Sequence, residues 1–164
     1  MTELIIRYAK FAIAFALAWV LLYFWTSCSY KRIPGKEMAP ALTPGESYWI
    51  LIKERTPDRL ELGDVVAFEY AMPGLTSKES VRAGRIQGMP GQRVKMVKGE
   101  LFVNGRKTST TAAPIGKPDE NFDEIIVPRD CYFILMDDRN SGPTLDSRAI
   151  GPLGLGAVLG KVKK

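Results

Sequence analysis

The side chains of this 164-residue chain that could do chemistry are carboxylates, serines and basic residues. Glu37 lies in a Gly/Pro-rich segment, and a cluster of acidic and basic residues runs from Asp137 to Arg148. Two carboxylates within hydrogen-bond reach can hold a water molecule if one pKa is raised, so Glu37 with Asp137 or Asp138 is one candidate pair. The favoured interpretation of the cluster is a structural network of ion pairs and hydrogen bonds. That network would contain Asp137, Arg139, Asp146 and Arg148.

Several kinds of site are excluded by composition. The chain contains no histidine, so the Ser-His-Asp and Cys-His arrangements and the commonest transition-metal ligand are absent. Its two cysteines, Cys28 and Cys131, are far apart in sequence and are expected to be isolated apolar residues. The glycine-rich run at 151–156 lacks the following helix of a phosphate-binding loop. We therefore predict neither a metal nor a cofactor.

Four segments, residues 33–42, 62–68, 85–94 and 137–148, resemble in content and order the motifs of the type I signal peptidases, which are membrane-anchored Ser/Lys peptidases. The first, residues 33–42, resembles the family's Pro-Ser-Gly-Ser-Met-x-Pro-Thr-Leu nucleophile loop. Residues 62–68 resemble its Arg-Gly-Asp-Ile-Val-Val-Phe box, and residues 85–94 its Lys-Arg-x-x-Gly-x-Pro-Gly-Asp-x-Val box. Residues 137–148 resemble its Gly-Asp-Asn-Arg-x-x-Ser-x-Asp-Ser-Arg box with two additional residues.

The resemblance implies a serine nucleophile and a lysine base, and both are replaced here. Glu37 stands at the serine position and Gly84 at the lysine position, while Met136 replaces a glycine that lies beside the lysine in the family. A carboxylate cannot form the acyl ester that a serine forms, and glycine has nothing to titrate. We therefore predict that no catalytic residue pair is intact, although the fold need not change with the chemistry.

Other residues are weaker candidates for catalysis. Lys36 could be imagined as a substitute base, but the site would still lack a nucleophile. Ser141 and Ser147 are interpreted as turn and hydrogen-bonding residues. The resemblance assigns the remaining motif or groove positions to Met38, Pro40, Arg85, Met136, Asp137, Asp138, Arg139, Asp146, Ser147 and Arg148.

Residues 11–30 form an uncharged apolar run that is long enough to cross the hydrocarbon layer as a helix. Arg7 and Lys10 precede it, and Lys31 and Arg32 follow it. We predict an uncleaved single-pass anchor at 11–30 behind a short flank at 1–10. The flanking charges are nearly balanced, so the resemblance alone places the soluble domain on the extracytoplasmic side of the cell (inner) membrane.

Residues 31–164 are predicted to form one mainly β domain, as the resemblance also implies. Short runs rich in β-branched and aromatic residues alternate with turn residues, and Lys98-Gly99 and Asn104-Gly105 are predicted as tight turns. Lys107 to Glu124 is predicted as a surface loop. The predicted strands are Tyr48–Ile52, Val65–Tyr70, Arg93–Lys98, Leu101–Val103, Ile125–Val127, Tyr132–Met136 and Ala157–Val162.

Three functions follow from these features. The leading hypothesis is a non-catalytic homologue that binds an extended or signal-peptide-like segment, or another membrane protein, or that scaffolds a secretion or signal-peptide-processing complex. The alternatives are an active signal peptidase, or a conjugative-transfer-type peptidase, with non-standard catalytic residues, and a structural spacer in a membrane assembly. A net charge of +5 with scattered basic residues gives no nucleic-acid site, whereas Lys31, Arg32 and Lys36 could attract lipid headgroups.

Overall fold

The N-terminal part of the chain is one long helix. A computed structural model describes residues 2–70, 80–108, 120–138 and 145–163. Helix α1, Thr2–Ser27, contains a stretch, Leu4–Ser27, that is long and apolar enough to cross a membrane. It begins before the predicted residue 11 because residues 2–10 contain no glycine or proline. The prediction that the helix reaches residue 30 is wrong, since Cys28 already pairs with Leu51 in a sheet.

Two antiparallel sheets form the rest of the described structure, so the mainly β prediction is confirmed. The larger sheet has seven strands in the order β1-β2-β11-β3-β4-β9-β10. Its strands are β1 Cys28–Arg32, β2 Ser47–Leu51, β3 Val65–Glu69, β4 Val81–Gly88, β9 Cys131–Leu135, β10 Leu153–Gly154 and β11 Val158–Lys163. A short helix, α2, Ser147–Ile150, lies between β9 and β10 in sequence.

The smaller sheet has the order β7-β6-β5-β8 and is built from tight hairpins. Its strands are β5 Arg93–Val97, β6 Glu100–Val103, β7 Arg106–Lys107 and β8 Phe122–Ile126. Lys98 and Gly99 have φ angles of 51° and 77°, and Asn104 and Gly105 have 50° and 77°. Positive φ at both central residues is the geometry of a two-residue turn that matches strand twist. Both predicted turns are therefore confirmed.

Each predicted strand is present to within a few residues, but strands β1 and β4 and the two-residue strands β7 and β10 have no counterpart in the prediction. Strand β4 contains three glycines or alanines and two arginines, so it lacks the β-branched pattern on which strand prediction depends. Strand β1 was not predicted because its first residues belong to the apolar run that was assigned to the membrane helix. The predicted loop from Lys107 to Glu124 is shorter than expected, because β7 and β8 occupy its ends, and residues 109–119 lie outside the described residues.

Buried apolar side chains form three clusters. The largest packs Phe68, Ile86, Tyr132, Ile134 and Met136 against one face of the seven-stranded sheet. A second fills the space beneath the smaller sheet around Val94 and Phe133. The third, which we call the loop cluster, joins the 33–42 segment to β2 and β4 through Ile33, Met38, Leu42, Tyr48 and Ala83.

Candidate functional site

The loop cluster fixes the position of the 33–42 segment. The segment forms no strand, but three of its side chains, those of Ile33, Met38 and Leu42, are buried in a cluster with Ala83 of β4 and hold it in place. Main-chain hydrogen bonds from Ile33 N to Glu46 O (3.0 Å) and from Leu42 N to Met38 O (2.8 Å) close its turns. Pro40 is exposed at the rim. Burial of Met38 therefore sets where its neighbour Glu37 must lie.

Glu37 is held beside β4. Its carboxylate folds back over Gly35 so closely that a Cβ atom at position 35 would overlap it. Its Oε1 atom lies 3.8 Å from Nε of Arg82, and the two side chains are 23% and 17% exposed. This distance is an ion contact beyond hydrogen-bond reach, and Arg82 Nε is buried without a hydrogen-bond partner among the described residues. The Glu37 carbonyl accepts a hydrogen bond from Asp138 N at 2.7 Å.

Gly84 lies in β4, two residues after Arg82, and its Cα is paired with Val66 of β3. A Cβ atom added here would meet Ile134 Cγ2 at 2.5 Å, Leu135 O at 3.2 Å and Phe68 Cε1 at 3.3 Å. Met136 is buried in the same apolar cluster as Phe68 and Ile134. The direction that a side chain at position 84 would take is therefore filled by core atoms.

Arg82 is the residue that sequence reasoning missed. Ala83 packs against the 33–42 loop, so by strand alternation Arg82 and Gly84 both belong to the other face of β4. The cation beside Glu37 nevertheless comes from Arg82, two residues before the position where the family carries its lysine. The spacing of two was visible in the sequence, but it has meaning only once β4 is known to be a strand.

Arg85 and Asp137 form a bidentate pair. Arg85 Nε donates to Asp137 Oδ1 at 2.9 Å and Nη2 to Oδ2 at 2.6 Å, while Nη1 donates to Gly63 O at 2.9 Å. The hydrogen bond to Asp137 raises the pKa of Arg85, and partial burial opposes this. One guanidinium thus joins the segments around residues 63, 85 and 137.

Asp146 and Ser147 satisfy two buried amides on the side of β9 beyond its short pairing with β10. Ile134 N donates to Ser147 Oγ at 2.8 Å, and Met136 N donates to Asp146 Oδ2 at 3.2 Å. Asp146 also caps α2 by accepting from Arg148 N at 3.0 Å. These side chains take the place of a neighbouring strand for two amides of β9.

The guanidinium of Arg148 is almost entirely buried between two carboxylates. It lies 2.8 Å from Asp146 and 2.5 Å from Glu120, a residue that the motif comparison did not single out. Burial alone would lower the pKa of Arg148, but the hydrogen bonds and charges of Asp146 and Glu120 raise it overall. Arg139 and Ser141 lie outside the described residues.

The structure brings seven of the predicted site residues together around the middle of β4: Glu37, Met38, Gly84, Arg85, Met136, Asp137 and Asp138. Asp137 is engaged by Arg85, whereas Asp138 meets Glu37 through the main chain. Within ranges 2–70, 80–108, 120–138 and 145–163, no group of three or more cysteine, aspartate or glutamate residues has the arrangement of a metal site. The described site thus holds the carboxylates of Glu37, Asp137 and Asp138 and the guanidiniums of Arg82 and Arg85, of which Asp137 and Arg85 are paired with each other.

Comparison with known proteins covers nearly the whole chain. Residues 5–164 match the family described as signal peptidase, peptidase S26. "Signal peptidase IB" of Staphylococcus aureus (strain COL) is 27% identical over 172 residues, which include 93% of this chain and 86% of the relative. "Signal peptidase I P" of Bacillus subtilis subsp. natto is 26% identical over 125 residues, which include 71% of this chain and 63% of the relative.

A crystal structure of a signal peptidase I from Enterococcus faecalis V583 covers 63% of this chain and 97% of its own, with 25% identity and a TM-score of 0.47. The apolar helix α1 and the relationship to signal peptidases together indicate a membrane anchor. Because the family match extends from α1 to β11, the chain belongs to the signal peptidase, peptidase S26, family.

Proposed function

We propose that this chain is a non-catalytic, membrane-anchored member of its family that binds an extended protein segment near the membrane, with its β domain on the extracytoplasmic side. The observation that carries the proposal is Gly84: no titratable group is present at the position of the base, and its side-chain direction is filled by Ile134 and Phe68. The serine position holds Glu37. A site that lacks both nucleophile and base has no route to an acyl-enzyme.

Binding can persist without catalysis because strand addition uses main-chain hydrogen bonds. In the described strand pairings, residues 81–85 of β4 are paired with β3, and pairing with β9 begins at Arg85. The first half of β4 therefore has no partner strand on its second side among the described pairings, and Glu37 and Arg82 lie beside it. An extended segment laid there would run beside β4, and Glu37 would meet it where the family's serine meets the scissile carbonyl.

The first test is a cleavage assay with the full chain in liposomes and a preprotein substrate. Loss of a nucleophile alone costs on the order of a million-fold in turnover, so no product is expected at any practical enzyme concentration. Cleavage at a small-x-small site that disappears in Glu37→Ala would overturn the proposal and support a carboxylate mechanism. Cleavage that persists in Glu37→Ala would be assigned to a contaminating peptidase and removed by further purification.

The second test measures binding of a fluorescent signal-peptide analogue to the same liposomes. If main-chain pairing carries recognition, methylation of alternate amide nitrogens of the peptide should abolish binding, while methylation of the other set should be tolerated. Arg82→Ala should change the affinity, because it removes the charge beside the site. The matched control is Arg93→Ala, which removes an exposed arginine paired with Glu124 on the smaller sheet.

The outcomes separate the remaining hypotheses. Binding that is sensitive to amide methylation and to Arg82→Ala supports a peptide-binding homologue. Binding with neither sensitivity places the peptide elsewhere on the protein. Absence of any binding by a folded protein removes the peptide-binding role and favours the structural spacer.

A further inference from the structure

The main chain of Ala83 points to the side of β4 where no described strand pairs with it. Ile86 N donates to Asp64 O at 2.9 Å, so Ile86 directs its main-chain groups toward β3. These directions alternate along a strand, and Ala83 is three residues earlier, so its N–H and C=O point the other way. An extended segment added to this side of β4 would therefore form its hydrogen bonds with Ala83.

The side chains of an added segment would alternate between the two faces of the sheet. Its main chain would lie in the plane of the sheet, and its side chains would stand on either face. The residue opposite Ala83 would project toward the loop cluster, as Ala83 does. The residues before and after it would project to the other face, to which Arg82 belongs. One of these side chains would therefore meet Arg82 and, beside it, Glu37.

The charged ends of Glu37 and Arg82 keep hydrogen-bonding capacity that the domain does not use. Glu37 Oε1 and Arg82 Nε are 3.8 Å apart, which is too long for a hydrogen bond. Neither side chain makes a hydrogen bond with another of the described residues, and Arg82 Nε is buried without a partner among them. The two side chains are 23% and 17% exposed, so a bound molecule can still reach them. A third group that bonds to both would satisfy them.

That third group must accept one hydrogen bond and donate another. A guanidinium only donates, and an ionised carboxylate only accepts. A carboxamide holds its oxygen and its nitrogen about 2.3 Å apart on one carbon, so it can accept from Arg82 while it donates to Glu37. A carboxylate in its place would be repelled by Glu37 and an ammonium by Arg82. An aliphatic side chain would cover both charges and give neither a partner.

We propose that Glu37 and Arg82 select an asparagine or glutamine side chain in the bound segment, at a position next to the residue that pairs with Ala83. The guanidinium donates to the side-chain oxygen, and the side-chain nitrogen donates to the carboxylate. This specificity rests on the proposed peptide-binding function and adds the chemical class of side chain that the site prefers. It depends on the two residues that replace or flank the family's catalytic positions, so it belongs to this chain and not to the family's peptidase chemistry.

The test compares short fluorescent alanine peptides that carry one central glutamine, glutamate, lysine or methionine. Each peptide is titrated against the full chain in liposomes, and binding is measured by fluorescence anisotropy. Because the flanking alanines are equivalent, the peptide can shift its register until the central side chain meets Arg82. We expect the glutamine peptide to bind about tenfold or more tightly than each of the other three, since hydrogen bonds to charged groups would be lost with them.

Single charge variants should change this preference in opposite directions. Glu37→Gln leaves the Arg82 cation without a counter-ion, so the glutamate peptide should become the tightest ligand. Arg82→Gln leaves the Glu37 carboxylate, so the lysine peptide should become the tightest. The matched controls are Glu124→Gln and Arg93→Gln, which alter an exposed ion pair on the smaller sheet and should keep the preference for glutamine.

The outcomes separate the specificity from the binding on which it rests. Equal binding of all four peptides would overturn the specificity and leave the peptide-binding function standing. Absence of binding by any peptide to the folded protein would overturn both. A glutamine preference that survives in Glu37→Gln and Arg82→Gln would place its origin elsewhere and overturn the proposal. A thermal melt confirms that each variant is folded, and the wild-type series alone decides the preference if one is not.

Discussion

At the scale of single residues, position 84 constrains the chemistry more tightly than position 37. Glu37 lies at a partly exposed site where a smaller side chain would fit, since it contacts Gly35 and Arg82. Gly84 is enclosed by Ile134, Leu135 and Phe68. Exchanging Glu37 for serine is therefore a local change, whereas placing a lysine at 84 requires the core to move.

The enclosure of Gly84 predicts the result of its smallest replacement. Gly84→Ala should destabilise the domain by about 1–3 kcal/mol, because overpacking forces neighbours from their positions. Ile134→Leu removes the Cγ2 atom that lies 2.5 Å from the added Cβ. The double variant should therefore lose less stability than the sum of the single variants, as measured by denaturant unfolding. Additive losses would mean that Ile134 is not the obstruction.

The enclosure of Gly84 also predicts whether the family's residues would restore peptidase activity. The variant Glu37→Ser with Gly84→Lys and Met136→Gly introduces the family's residues at all three positions, yet the lysine would still emerge toward Ile134 and Phe68. We expect no cleavage of a preprotein and a lower melting temperature than that of Glu37→Ser alone. Turnover that requires both the Glu37→Ser and the Gly84→Lys changes would show that β4 can turn a side chain at 84 toward the loop.

Tyr132 provides a second test at this scale. Its side chain is fully buried, and its hydroxyl has no hydrogen-bond partner among the described residues. Burial, assisted by the charge of Asp130, raises its pKa above 10.0. Tyr132→Phe removes the unsatisfied hydroxyl and should stabilise the domain by about 1 kcal/mol at neutral pH.

Because the folded-state pKa of Tyr132 is raised, its contribution to stability is full below pH 10 and is lost as pH rises from there through the folded value. The wild-type protein should therefore lose stability above pH 10 more steeply than Tyr132→Phe. Tyr30→Phe, at an exposed ring, is the control and should not alter that slope. Parallel pH profiles for wild type and Tyr132→Phe would contradict the assignment.

At the scale of elements, the Arg85–Asp137 pair joins β4 to the chain that leaves β9. Asp137→Asn would leave a largely buried guanidinium without its bidentate partner, and we expect a loss of about 3 kcal/mol in unfolding free energy. Glu100→Gln removes a partner of Lys107 at an exposed pair on the smaller sheet and should cost less than about 1 kcal/mol. Equal costs would show that burial of the first pair has no energetic consequence.

The elements also show where sequence reasoning succeeds and where it fails. The turns at Lys98-Gly99 and Asn104-Gly105 were predictable because a left-handed backbone has a local residue preference. Strand β4 was not, since Ala83 and Gly84 form a strand only because β3 and β9 pair on either side of it. The contact between Arg82 and Glu37 depends on that strand, so it could not be predicted either.

The fourth motif segment, residues 137–148, also contains both contacts that sequence can predict and contacts that it cannot. The sequence predicts that its residues pair with one another, and Asp146 with Arg148 does so. Asp137 instead pairs with Arg85, and Arg148 also reaches Glu120. Sequence identifies charged residues that need partners, but a partner 52 positions away is set by the sheet order.

At the scale of the whole molecule, the helix and the domain meet without a linker. Helix α1 ends at Ser27, and the next residue, Cys28, is already paired with Leu51. Insertion of Gly-Ser-Gly-Ser between Ser27 and Cys28 should leave the melting temperature of the β domain nearly unchanged, because β1 is held by its pairing with β2.

The abrupt passage from α1 to β1 also determines how the protein can search for a partner. A flexible tether of n residues lets its cargo explore a distance of roughly 5–6 Å multiplied by the square root of n, and here n is zero. Without a flexible linker, the domain cannot move to different distances from the bilayer. It is confined to a thin layer at a fixed distance from the bilayer and moves within that layer by lateral diffusion. Under the proposed peptide-binding function, chains still held at the membrane surface would therefore be encountered far more often than those released from it.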